Sequence, residues 1–142
     1  MKLGIAMGLA IGLLFGATAV QGAEALQGTW KLTAGESNGK ALTEKQLQVG
    51  KLVIEGDRYS VTLDGVGTVT GVQKLASTST TKTIEITDAT GPHKDQTCFG
   101  IYEVDGDEFR VAFAPAGKAP PSNFSTAAEN GYWVHVWKRV KE

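Results

Sequence analysis

Few residues in this chain combine the types and spacing that do chemistry. The single cysteine, Cys98, lies close behind His93 and Asp95, and all three are zinc-ligand types. A zinc site needs three or four converging ligands, and His135, the only other histidine, is far away in sequence. The group therefore reads as a solvated loop followed by a strand in which Cys98 packs as a small hydrophobe, and no metal is expected. Cys98 with His93 as nucleophile and base lacks an orienting carboxylate or oxyanion loop that the sequence can place. A Ser-His-Asp grouping drawn from such a composition carries no weight without geometry. No catalytic set and no cofactor motif emerges. Asn123-Phe124-Ser125 fits a glycosylation acceptor pattern, but reads better as a loop whose Phe124 tucks under a barrel rim. What remains is binding chemistry. Tyr59, Val61, Phe109, Val111 and Phe113 alternate with polar or small residues, and Gln73 and Tyr102 can add the few polar contacts a small-ligand site uses.

The elements that must position these residues are strands. After the opening stretch Gly28-Thr29-Trp30-Lys31-Leu32, residues 35–50 are polar, with a short helix expected over 41–47. Thr43 and Gln46 have the capping-box spacing there, and Leu42 and Leu47 would face inward. Period-two alternation then takes over at Leu52/Ile54, Tyr59/Val61/Leu63, Ile84/Ile86 and Phe109/Val111/Phe113. Turn signals stand between them at Gly56-Asp57, Asp64-Gly65 and Asp105-Gly106-Asp107. With 66–75, 97–104 and 132–140 this makes eight strands. Tight connections imply antiparallel neighbours. Eight strands suffice to close a sheet around a filled interior or one small ligand. The expected fold is thus all-β, an antiparallel eight-stranded up-and-down barrel with one short helix. A two-sheet sandwich shows similar strand spacing and is the alternative.

Composition restricts the functional classes. The chain has 142 residues with 14 Lys+Arg against 15 Asp+Glu, a net charge of −1. No basic stripe suits nucleic acid or an anionic membrane surface. Residues 1–25 read as a signal peptide. Lys2 is a short positive region, 3–20 is uncharged and mostly apolar, and Ala17-Thr18-Ala19 has the small-x-small cleavage pattern. Ala23 and Ala25 are competing cleavage points. Gly4, Gly8, Gly12 and Gly16 recur at the spacing of packed membrane helices, so an uncleaved leader is the one route to a membrane. Residues 26–142 form one domain, exported to the periplasm or the extracellular space, and one cysteine gives it no internal disulfide.

Gly28-Thr29-Trp30 resembles the Gly-x-Trp signature of the lipocalin superfamily. The resemblance implies a lipocalin-like barrel in which Gly28 lets the backbone in and Trp30 plugs the floor. It also implies a basic residue from the last strand lying over the Trp, where Lys138 or Arg139 stands. If Val134, Val136 and Val140 face inward, Lys138 shares their parity and Trp133, His135 and Trp137 face outward. A bulge would turn Arg139 in instead. A broader resemblance is to small exported planctomycete proteins with a lipocalin-like domain and no established activity. It rests on Gly28-Thr29-Trp30-Lys31, the run from Gly100 to Asp107, the run from Phe113 to Lys118, and Phe124-Ser125 before the last strand. His93 and Cys98 depart from that pattern.

Two functional readings follow. One is non-enzymatic binding of a small, mostly apolar ligand in the barrel by Tyr59, Val61, Gln73, Tyr102, Phe109, Val111 and Phe113, with Gly71 and Gly100 leaving space. The other is a structural or protein-interaction module of the cell envelope, with a filled barrel and a protein partner on its outer surface.

Overall fold

A computed structural model describes residues 24–77, 81–126 and 131–141. The leader readings for residues 1–23 lie outside the described residues. Residues 24–26 are helical (α1). They lead into β1 (Gly28–Ser37), β2 (Lys40–Ala41), α2 (Glu44–Val49), β3 (Lys51–Glu55), β4 (Arg58–Leu63), β5 (Gly67–Ser77), β6 (Lys82–Asp88), β7 (Thr97–Asp105), β8 (Glu108–Phe113) and β9 (Trp133–Arg139). Each strand from β3 to β9 pairs antiparallel with the next, and β1 pairs with both β3 and β9. Eight strands therefore close into a barrel, which leaves no long unpaired edge. The two-residue β2 folds back on the end of β1 through Asn38-Gly39, both at positive φ. The sequence reading gives this stretch no strand, although Asn-Gly is the dipeptide that type I′ hairpins favour.

Helix α2 forms where its cap is written. Thr43 accepts from the Gln46 amide at 3.1 Å, and Gln46 Oε1 accepts from the Thr43 amide at 2.8 Å. This reciprocal pair satisfies two donors that a helix start otherwise leaves orphaned. Leu42 and Leu47 pack against the core. The helix sits over the barrel end reached by the tops of β1 and β4, so that end is the mouth.

The opposite end is a closed floor. Leu26 and Trp30 are fully buried, and Trp30 Nε1 donates to the Leu26 carbonyl at 2.9 Å. The Trp30 ring lies 5.6 Å from that of Phe109. Arg139 covers the other side, its guanidinium carbon 4.2 Å from the centre of the Trp30 ring. Gly28 is needed here for two reasons: its φ is +119°, and a Cβ would lie 3.2 Å from Arg139 Nη1.

The last strand corrects one expectation. Trp133, His135 and Trp137 face inward, and Lys138 is exposed. The cause is register. Trp137 pairs with Leu32 of β1 and Phe109 of β8, and His135 pairs with Val111. Directly paired residues share a face, so two neighbours with inward apolar residues fix the parity of β9. A bulge does occur, but in β1 between Leu32 and Ala34. It shifts the inward set of β1 from Trp30 and Leu32 to Gly35 and Ser37, keeping β1 in step with β9 up to the mouth.

Val134 instead joins Ile101 and Ala112 on the outer face, under Phe124 of the long 114–132 connection. Arg110 stacks on Phe124 at 4.2 Å. Glu36 fastens the far side of that loop by accepting from the Thr126 amide at 2.6 Å and its hydroxyl at 2.9 Å. The apolar outer strip that the sequence reading gives to an inward set of valines is thus covered by the chain's own loop.

Candidate functional site

Between the aromatic floor and the mouth lies a cavity of about 490 Å³. Its walls come from nearly every strand. The lower wall is Leu52, Ile54, Phe109 and Trp137, and the middle is Val61, Gln73, Ile86, Val111 and His135. Phe113, Trp133, Leu42 and Gln46 stand toward the mouth, with the Asp64–Val66 turn and the loop bearing Pro92 and His93 at the rim.

Six of the seven residues expected in the pocket line it: Tyr59, Val61, Gln73, Phe109, Val111 and Phe113. Tyr102 does not. It faces inward but packs edge-on against Phe109, ring centres 6.1 Å apart, as part of the solid base. Gly71 and Gly100, whose parity the sequence leaves open, face inward, but they do not create the void. A Cβ at Gly71 would overlap the Tyr59 ring and the Thr87 carbonyl, and one at Gly100 would overlap Phe113. The glycines make room for these two rings, and the cavity is the space the rings then bound.

Tyr59, Asp88, Cys98, Gln73 and His135 are the polar groups that meet the lumen below the rim. Tyr59 donates its hydroxyl to Asp88 Oδ1 at 2.5 Å. Burial pushes the Tyr59 phenol pKa far up, and the Asp88 hydrogen bond and charge push it further, so the hydroxyl keeps its proton. Cys98, on the adjacent β7, has its thiol pushed up by burial and then by the Asp88 charge. It is therefore a poor nucleophile at neutral pH. Gln73 is 7% exposed; its backbone amide donates to the Asp57 carbonyl at 2.8 Å, and among the described residues its side-chain amide has no hydrogen-bond partner. His135 has its pKa lowered to about 4 by burial, so its imidazole is neutral at pH 7. Among the described residues its one ring contact is edge-on to Trp137, centres 5.5 Å apart. In the eight-strand ring β5 and β9 are four places apart, so Gln73 and His135 face each other across the lumen.

Sequence reasoning missed Asp88, His135, Trp133 and Trp137. Asp88 sits at the end of an alternating strand, two residues beyond Ile86, and that parity was its signal. The β9 residues carried no local signal, because Val and Trp/His alternate with equal regularity on both faces. His93, Asp95 and Cys98 do not come together as ligands. Among the described residues no three His, Cys, Asp or Glu side chains gather where a metal ion could be held. In comparisons with protein-family models, curated proteins and solved structures, nothing matches this chain.

Proposed function

We propose that this protein is an exported carrier or sequestering protein that binds one small, mostly apolar molecule inside its barrel. The observation that carries the reading is the cavity of about 490 Å³, walled by aromatic and aliphatic side chains and closed below by Trp30 and Phe109. That volume falls within the range of small-molecule sites, roughly 300–1,000 Å³. Gln73 and His135 offer hydrogen-bonding groups from opposite walls, and such convergent polar groups fix a ligand's orientation. The lipocalin-like resemblance of Gly28-Thr29-Trp30 and the leader of residues 1–25 support the same picture of an exported binding barrel.

The competing envelope module requires a filled barrel and a free outer face. The cavity argues against the first. Phe124 packed over Ile101, Ala112 and Val134 argues against the second for the β7–β8–β9 surface. The decisive experiment is titration of the purified mature chain with an environment-sensitive apolar dye, alongside native mass spectrometry of the protein as isolated. The binder reading expects saturable binding near one to one. A protein that takes up no apolar probe and carries no small molecule overturns it in favour of the module.

A further inference from the structure

We propose that the cavity selects an apolar amine, received as its ammonium by Asp88 beside Tyr59 and Gln73. This rests on the binder reading above and adds the chemistry of the ligand's head.

The lining contains two carboxylates, Asp64 and Asp88, and no lysine or arginine. Asp64 is at the rim and has Lys45 Nζ at 3.9 Å. Asp88 lies deeper, and among the described residues it has no ion pair. Its Oδ1 accepts from the Tyr59 hydroxyl, while its other carboxylate oxygen has no partner there. The two histidines do not reverse this balance. His93 is an exposed rim residue, and His135 is neutral at pH 7 because burial lowers its pKa.

An anionic head such as a fatty carboxylate would enter this cavity without a counter-charge, facing Asp88. Burying an unpaired charge is strongly unfavourable, so an acid is disfavoured even though its tail would fit. A neutral alcohol fits and can donate one hydrogen bond to the second Asp88 oxygen, but it leaves the carboxylate without a counter-charge. An ammonium has three donors and no acceptor. It can give one to Asp88 and one to the Gln73 amide oxygen. Gly71 pairs with Asp88 and Gln73 with Ile86, so Asp88 and Gln73 are diagonal neighbours on the inner face. The Tyr59, Phe113 and Trp133 rings also line the lumen, and ring faces attract a cation. Tyr59 orients the carboxylate, and Gly71 exists to let the Tyr59 ring reach it.

The test uses three probes with one tail, 1-aminodecane, 1-decanol and decanoate, titrated by calorimetry into the mature protein below their micelle concentrations at pH 7. The amine is expected to bind at least about tenfold tighter than the alcohol, through a charge-assisted hydrogen bond, and decanoate weakest. Asp88→Asn keeps an acceptor for Tyr59 but removes the charge. It should bring the amine down to about the affinity of the alcohol, so that the preference of the amine over the alcohol disappears. Equal binding of amine and alcohol, a preference for decanoate, or an amine preference that survives D88N overturns the proposal while the binder reading stands. If none of the three probes binds and the apolar dye fails as well, the binder reading falls and takes this inference with it. Circular dichroism establishes the fold of D88N. Should that variant not fold, the ranking in the unaltered protein decides alone.

Discussion

Arg139 lies over Trp30 and ties the first strand to the last. Its guanidinium carbon is 4.2 Å from the indole centre, and its Nη2 donates to the Ala25 carbonyl at 2.7 Å. Nη1 donates to the Gln27 carbonyl, and Nε to Asp107 Oδ1 at 3.2 Å. One side chain thus holds the segment before β1, the β7–β8 turn and the floor plug together. Gln27 adds a second clasp, its side-chain amide paired both ways with Gly56 of the β3–β4 turn at 3.0 and 2.7 Å.

The first prediction follows from that clasp. Arg139→Met should lower stability by about 2–3 kcal/mol, because it removes a cation–ring contact and charged hydrogen bonds to partly buried carbonyls. Lys138→Met, one residue away but exposed, should change stability by less than about 0.5 kcal/mol. Urea midpoints of the two variants check this. Equal effects would mean the floor does not depend on which residue faces in.

Filling the cavity should separate binding from folding. Val111 is 2% exposed and lines the lumen. Val111→Trp should abolish dye uptake and cost about 1–3 kcal/mol, the usual penalty of overpacking. Dye titration and a thermal melt on the same sample provide the two readouts. Undiminished dye binding would place the ligand elsewhere.

Acid should weaken the fold through His135. Its folded pKa is about 4, below the ordinary 6.5, because burial disfavours the imidazolium. As pH falls from 6.5 towards 4, the unfolded chain takes a proton there that the folded chain refuses, so stability is lost across that window. The loss should reach about 3 kcal/mol and be absent in His135→Phe. Asp107, held below its ordinary value by Lys141 and Arg139, also loses its contribution as pH falls, but over a lower window. Its stabilising charge is present above about pH 4 and is lost only below that. Urea unfolding at pH 7, 5 and 3.5 distinguishes the two groups. Parallel curves for the wild type and His135→Phe between pH 7 and 5 would show that His135 is solvated.

The inward glycines should tolerate nothing larger. Gly71→Ala and Gly100→Ala each place a methyl group into a ring and a backbone carbonyl, so each should destabilise by about 1–3 kcal/mol. Pairing Gly71→Ala with Tyr59→Leu should recover part of the loss, because the displaced ring is gone. Chemical denaturation of the single and double variants checks the coupling. Additive losses would mean the backbone carbonyl, not the ring, sets the limit.

Cys98 reports on the same space. Its thiol is raised in pKa and lines the cavity, so maleimide should label it more slowly in the native state than in urea at equal pH. A bound apolar amine should slow labelling further. Native labelling as fast as unfolded, unaffected by ligand, would place the thiol outside the pocket.

The sequence by itself determined the strands, most turns and the helix cap, because those depend on neighbours two to four residues apart. Alternation at Tyr59/Val61/Leu63 and Phe109/Val111/Phe113 set which residues face inward on β4 and β8. Thr43 and Gln46 marked α2, and Asp64-Gly65 marked a hairpin. Six of the cavity's residues were legible on that basis. The parity of β9 was not, since Val134/Val136 and Trp133/Trp137 are both plausible core sets. Only pairing with Leu32 and Phe109, over one hundred residues apart in the case of Leu32, chose between them, and with that choice came Arg139 over Lys138. The meeting of Tyr59 with Asp88 was likewise beyond local reading. It requires β4, β5 and β6 to be in register and Gly71 to lack a side chain between them. Local chemistry writes the elements of a barrel, while its interior is decided by which strands close against each other and in what register.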